Sequence, residues 1–249
     1  MATFKTRISK ISKSNGNVIL ANDYDNSIKN LESKTIQNIK KLHPYLCAIK
    51  LNFHLLLPLG SKQISKINKT AHGFGLQTIA DIKLNDIGNT NKVTTENLWD
   101  LGFDAVIANP IMGLDSLKNL VNLSHKKEKG VITLCHMSAP EAKLSYDMEI
   151  KMKKKQQLYQ LFLDWAIKSK VDGIVAGATF PKIISYCKKQ AGKKLSIYSP
   201  GVGTQGGNAN QVISAGADYL IVGRTILNAK NPIDVAKDLQ LQSLGKKLV

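Results

Sequence analysis

Residues 77–86 read Gln-Thr-Ile-Ala-Asp-Ile-Lys-Leu-Asn-Asp. An apolar run opens the segment and charges close it. Residues 77–82 have the length and β-branched content of a strand buried on both faces, and residues 89–101 behind them carry helical spacing. The same alternation recurs along the chain. Apolar runs at 17–21, 46–51, 105–108, 131–135, 173–175, 195–198 and 219–222 make eight candidate strands, with helical stretches at 27–42, 156–167 and 232–239 between or after them. Strands this apolar point to a parallel sheet, and parallel neighbours need crossover helices. Eight such units in 249 residues predict an α/β fold, a closed (β/α)8 TIM barrel, over an open doubly wound sheet. The short fourth and sixth runs are where that count is thinnest.

The expected organisation is a single barrel domain over 1–249, with 1–16 an extension helix under the barrel and 244–249 a basic tail. A hydrophobic share of 43% and a charged share of 21% exclude disordered and collagen-like chains. Thirty-five Lys and Arg against 18 Asp and Glu give +17, a field that attracts anions such as phosphorylated metabolites or nucleic acid. Cys47, Cys135 and Cys187 are far apart and form no CxxC pair, which suggests a reduced, cytoplasmic setting. The basic N-terminus lacks an apolar signal core, and the run at 55–59 is too short to cross a bilayer.

In α/β folds chemistry gathers at the carboxyl ends of strands. Here the first run ends in Asp23, the second in Lys50, and the third in Asp81, Lys83 and Asp86. Strand periodicity puts Asp81 and Lys83 on one face, the barrel interior, with Asp86 in the loop beyond. Buried charges need partners, and Lys-Asp alternation supplies them. A bland reading has these pairs merely satisfying each other, although apolar side chains would serve stability better. After the seventh run comes SPGVGTQGG (199–207), and the eighth ends in Val222, Gly223 and Arg224. Loops after strands seven and eight of a barrel commonly hold phosphate, so this position favours phosphate binding over a plain turn.

Residues 81–90, DIKLNDIGNT, resemble the DxKxxDIxxT signature of the orotidine 5'-monophosphate decarboxylase family. The resemblance extends to Asp23 in LANDYD, Lys50 in AIKLN, Met137 and Ser138 in CHMSAPEA, the SPGVGTQGG loop and IVGRTI, in the family's order over 18–226. It implies a barrel working as a homodimer that decarboxylates orotidine 5'-monophosphate to uridine 5'-monophosphate without metal or organic cofactor. By the same resemblance Lys83 is the proton donor, Asp81 holds it protonated and faces the departing carboxylate, and Lys50 and Asp86 complete the network. Asp86 and Thr90 would cross to the neighbouring subunit's site. Asp23 and Lys50 would hold the ribose, Ser138 the pyrimidine edge, and Gln205, Gly223 and Arg224 the phosphate. Gln205 would ride on a closing loop, with Ile87, Pro200, Gly201, Val202 and Gly203 among the substrate contacts.

Other features read more plainly. His54 and His136 lack metal-ligand spacing. The basic run at 151–155 has no interleaved aromatics and reads as a solvated helix start, so nucleic acid is not the expected partner. Tyr159, Phe162 and Trp165 at three-residue steps read as core. Two rival functions stand beside the resemblance. One is a magnesium-dependent phosphosugar aldolase of the hexulose-phosphate synthase type, which also has a DxKxxD strand. The other is a nucleic-acid-binding protein on a vestigial barrel.

Overall fold

The apolar runs become eight parallel strands in the computed structural model, which describes residues 2–24, 28–152 and 155–245. They are β1 Val18–Ala21, β2 Ala48–Asn52, β3 Gln77–Leu84, β4 Ala105–Ala108, β5 Gly130–His136, β6 Gly173–Ala176, β7 Ser196–Pro200 and β8 Tyr219–Val222. Each pairs with its sequence neighbour, and β8 pairs with β1 at Val18 opposite Leu220. That last ladder closes the barrel and rules out an open sheet. Helices Leu31–Leu42, Ser61–Gly73, Gly88–Asp100, Leu114–Lys126, Leu158–Ser169, Pro181–Ala191 and Pro232–Ser243 cover the outside, which is why the strands are buried on both faces. Among the described residues, no helix is long and apolar enough to cross a membrane.

Helix Phe4–Asn15 precedes β1, and its Phe4 and Ile8 are fully buried, with Phe4 against Gly130 at the start of β5. The barrel interior is filled by size complementarity. A Cβ on Gly173 would lie 2.3 Å from a ring carbon of Tyr198, so β6 gives up a side chain to make room for the tyrosine on β7. Tyr198 in turn stacks on Tyr219, with ring centroids 4.7 Å apart.

One device recurs at the amino ends of the strands. Asp104, Asp172 and Asp218 each stand immediately before an even-numbered strand. Their carboxylates accept from backbone N–H groups of the preceding odd strand: Thr78 at 2.9 Å, Val131 at 2.9 Å and Ile197 at 2.8 Å. Each also meets a basic side chain: Arg7 and His72 on Asp104, His125 on Asp172, Lys188 on Asp218. Cys47 holds the equivalent place before β2, its Sγ 3.4 Å from the Val18 carbonyl. Burial pushes that thiol's pKa up, so a neutral group stands where the other three are carboxylates.

The basic run departs from the helix start expected of it. Glu149–Lys151 and Lys155–Gln157 pair as a short antiparallel hairpin, while Lys153 and Lys154 lie outside the described residues. Ile150 faces Gln156 in the ladder, and Lys155 pairs with Glu149 at 2.9 Å. The helix begins only at Leu158, where the Gln160 side chain accepts from the Gln157 backbone N–H at 2.9 Å. The expected helix 27–42 runs over Leu31–Leu42, and most of the basic tail at 244–249 falls outside the described residues.

The hydrogen bond to Asp172 outweighs desolvation and raises the His125 pKa above 6.5. A raised folded value stabilises fully below the unfolded value and is lost as pH rises through the folded one. Urea denaturation should therefore show wild-type stability falling more than that of His125→Gln as pH rises from about 6 to 8. Equal slopes would remove His125 from the pH dependence.

Candidate active site

The floor of one pocket takes a residue from every strand: Ala21, Lys50, Asp81, Ile107, Leu134, Val175, Pro200 and Ile221. Six are uncharged and two are not. Lys50 is 4% exposed and donates to Asp81 Oδ2 at 2.8 Å, while Lys83 Nζ donates to Asp81 Oδ1 at 3.0 Å. Asp81 thus lies between two ammonium groups. Burial pushes its carboxyl towards the neutral form, but Lys50 and Lys83 prevail and hold its pKa below the ordinary value. Lys50 also donates to Asn52 Oδ1 and stands 3.8 Å from Asp23 Oδ1. That Asp23 oxygen is buried and has no hydrogen-bond partner among the described residues, an acceptor left for a ligand donor.

Lys83 reaches Asp81 by a different route from the regular strand face that periodicity suggests. Asp81 pairs with Ile107 and Leu84 with Ala108, so Ile82 and Lys83 are spare residues in a bulge against β4. Lys83 takes φ +45°, the left-handed region, and its side chain is 44% exposed at the mouth. The bulge lifts the lysine backbone out of the barrel wall while its amine turns back to the carboxylate. A side chain in regular strand register would have been buried within the barrel. The bulge leaves the amine both paired and accessible.

The other strand ends build the rest of the rim. Beyond β5, Met137, Ser138 and Ala139 line the pocket, and the Ser138 carbonyl accepts from Thr179 Oγ1 at 2.8 Å. After β7 the glycine-rich loop folds back on itself through Gly203 N to Gly207 O at 2.8 Å and Gly207 N to Gly201 O at 3.0 Å. Thr225 ties this loop to the end of β8, accepting from Thr204 N at 3.0 Å and donating to the Val202 carbonyl at 2.9 Å. Gly203, at φ +76°, must be glycine there, because a Cβ would sit 2.4 Å from the Thr225 hydroxyl. Arg224 is exposed beside this loop; its carbonyl accepts from Asn228 N at 2.9 Å, and its guanidinium has no hydrogen bond or ion pair with any described residue.

Of the residues singled out from sequence, Asp23, Lys50, Asp81, Lys83, Ser138, Pro200, Gly201, Val202, Gln205, Gly223 and Arg224 share this one pocket. Asp86, Ile87 and Thr90 do not. They are exposed beyond the end of β3, and Asp86 Oδ1 accepts from the Ile87 backbone N–H at 2.8 Å instead of joining the Lys50–Asp81–Lys83 network of its own chain. Gly203 sits in the loop without lining the cavity. Asn52, Thr204 and Thr225 went unmarked in the sequence. The period-2 step from Lys50 would have found Asn52, whereas the threonines are polar loop residues with no distinguishing pattern. His136 and His54 stand outside the lining, and among the described residues no three His, Cys, Asp or Glu side chains converge as metal ligands.

The pocket therefore offers a ligand three unlike parts: a charge network on β1 to β3, a polar edge after β5, and a glycine-rich loop after β7 and β8 with a guanidinium that has no partner among the described residues. The family model described as "Orotidine 5'-phosphate decarboxylase / HUMPS family" matches residues 16–239. The chain belongs to this family. Within it, the orotidine 5'-phosphate decarboxylase of Pyrococcus furiosus is 33% identical over 206 residues, covering 83% of this chain and 90% of the relative. The crystal structure of orotidine 5'-monophosphate decarboxylase from Methanocaldococcus jannaschii complexed with inhibitor BMP superposes with a TM-score of 0.75 at 30% identity, over 91% of this chain and 97% of that one. Leishmania donovani OMP decarboxylase shares the fold over 98% of both chains, with a TM-score of 0.82 at 22% identity.

The left-handed backbone at Lys83 costs an L-residue about 1 kcal/mol that glycine does not incur. Lys83→Gly should accordingly be more stable than Lys83→Ala by up to about 1 kcal/mol in chemical denaturation, although glycine is ordinarily the destabilising choice in a strand. The reverse order would show that β3 follows a regular course at this residue.

Proposed function

We propose that the chain decarboxylates orotidine 5'-monophosphate to uridine 5'-monophosphate and CO2, the carboxy-lyase step of pyrimidine nucleotide biosynthesis, without metal or organic cofactor. The observation that carries this is Asp81 buried between Lys50 and Lys83 in a pocket that Arg224 also lines. Loss of CO2 leaves an electron pair on a ring carbon with no conjugated sink, so the site must supply nearby positive charge and a proton. The Lys83 ammonium supplies both, passing its proton to that carbon as the C–C bond to CO2 breaks. Asp81 faces the substrate carboxylate, and their repulsion is relieved as CO2 departs. Asp23 Oδ1 and Lys50 meet the ribose hydroxyls, and Ser138 the pyrimidine edge. Arg224, Gly223 and Gln205 take the phosphate with Pro200, Gly201, Val202 and Gly203, and that remote contact draws the loop closed.

Asp86 and Thr90 complete the partner's site in a homodimer, with Ile87 beside them. Supporting this, Phe53, Leu57, Ile87, Val93 and Ile111 are exposed apolar residues at or just beyond the ends of β2, β3 and β4, on the side that carries Asp86 and Thr90. A two-fold contact offers the same patch twice, so both sites would be composite. We read the chain as one barrel domain acting in the cytoplasm, where its three buried free cysteines stay reduced.

Loss of substrate absorbance with orotidine 5'-monophosphate should proceed equally with and without a chelator, and should vanish in Lys83→Ala while circular dichroism is unchanged. Mixing Lys83→Ala with Asp86→Ala chains under subunit exchange should restore about half the wild-type activity per heterodimer, because one site then carries neither lesion. Chelator-sensitive turnover would favour the magnesium-dependent aldolase. Mixtures still inactive after mass spectrometry detects heterodimers would show that Lys83 and Asp86 act from the same chain, and the shared site would have to be dropped.

A further inference from the structure

His136 ends β5 one residue before the pocket wall and is fully buried. Its Nδ1 lies 2.9 Å from the Met137 carbonyl oxygen and its Nε2 lies 3.3 Å from Asp147 Oδ1. A carbonyl and a carboxylate both accept, so the ring satisfies the two together only with a proton on each nitrogen. Phe180, Tyr146 and Tyr159 enclose it, with ring centroids at 4.5, 5.5 and 5.8 Å. The titratable groups on the elements around it are Asp147 and Tyr146 in the same loop, Tyr159 on helix Leu158–Ser169, Cys135 on β5, and Cys187 on helix Pro181–Ala191, 3.9 Å from Cys135. Burial pushes both phenols up to about 12, and the Cys135 thiol is raised by Cys187 and by burial, so these groups are neutral near pH 7. Asp147 is the carboxylate that meets the ring.

The same contacts tie down the loop that carries Ser138. It leaves β5 at Met137, passes the pocket at Ser138 and Ala139, and returns at Tyr146 and Asp147, where the Tyr146 carbonyl accepts from Tyr159 N at 3.0 Å. His136 links the two ends of this loop. Ser138 itself lies so close to Gly177 that a Cβ there would approach its Cα to 2.5 Å, so a small loop shift moves its hydroxyl instead of being absorbed.

We propose that His136, held by Asp147, is a positioning residue that sets Ser138 against the base of the nucleotide, so that affinity falls when this clasp is broken. The proposal rests on the nucleotide reading of the pocket. The contact with Asp147 is the part of the clasp that closes the loop, since Nδ1 meets only the carbonyl of the next residue. An asparagine amide at position 147 can still hydrogen-bond Nε2, whereas alanine removes the partner.

Calorimetric Kd values for uridine 5'-monophosphate and for ribose 5-phosphate, which lacks the base, test this at one pH in the wild type, Asp147→Asn and Asp147→Ala, with the fold of each checked by circular dichroism. Kd for uridine 5'-monophosphate should rise about tenfold in Asp147→Ala, the scale of one lost hydrogen bond, and most of that loss should be recovered in Asp147→Asn, while Kd for ribose 5-phosphate stays unchanged in both. An unchanged nucleotide Kd in Asp147→Ala, or an equal loss for ribose 5-phosphate, would overturn the proposal. Absence of uridine 5'-monophosphate binding to the wild type would overturn the nucleotide reading as well.

Discussion

Asp81 is 8% exposed at the floor of the barrel, where a lone carboxylate would neutralise by taking up a proton. It stays ionised because Lys50 and Lys83 each donate to one of its oxygens. The dependence is mutual. Lys50, 4% exposed, is tolerable in the interior only with Asp81 and Asp23 beside it, and without the Asp81 carboxylate Lys83 would have no reason to fold back towards the pocket. Removing any one member leaves an uncompensated charge in a site of low polarity. An apolar barrel floor would be more stable, so the arrangement reads as stability given up to hold charge where a reaction needs it.

The barrel separates that expense from its stabilising devices. At the amino ends of the strands, Asp104, Asp172 and Asp218 fasten neighbouring strands to one another and to basic side chains on the helices. At the carboxyl ends, Asp81 and Asp23 face the pocket and bind no backbone in the ladder. The same residue type therefore serves opposite purposes at the two ends. The bulge at Ile82 and Lys83 and the irregularity between Leu134 and His136 both fall on the carboxyl side, where local departure from the ladder aims side chains at the pocket and at the loop above it.

The barrel could be read from the sequence because strands covered on both faces must be apolar throughout, and eight such runs punctuate the chain. The pocket could be read because charges ending apolar runs have few structural uses, which picked out Asp23, Lys50, Asp81 and Lys83. Periodicity did not reveal how Lys83 arrives, since a two-residue bulge preserves the face pattern on either side of it while changing the backbone of the residue itself. The hairpin after Met148 was hidden for a similar reason: lysines and glutamines suit an exposed helix and an exposed ribbon equally well, and tertiary pairing decided. The His136–Asp147 contact joins residues eleven positions apart across a loop that holds only the short helix Ala142–Ser145, beyond the reach of any periodic pattern.

Carbon-13 titration of the Asp81 carboxyl group, in the wild type and in Lys83→Ala, tests the charge network most directly. A depressed folded value stabilises above the unfolded carboxylate value near 3.9 and is lost as pH falls through the folded one, so acid should weaken the fold as Asp81 protonates. The alternation of charges predicts that wild-type Asp81 remains ionised to below the ordinary carboxylate range and that its titration moves upward when Lys83 is removed. A wild-type Asp81 that takes up its proton at or above about 3.9, or one indifferent to the loss of Lys83, would contradict it.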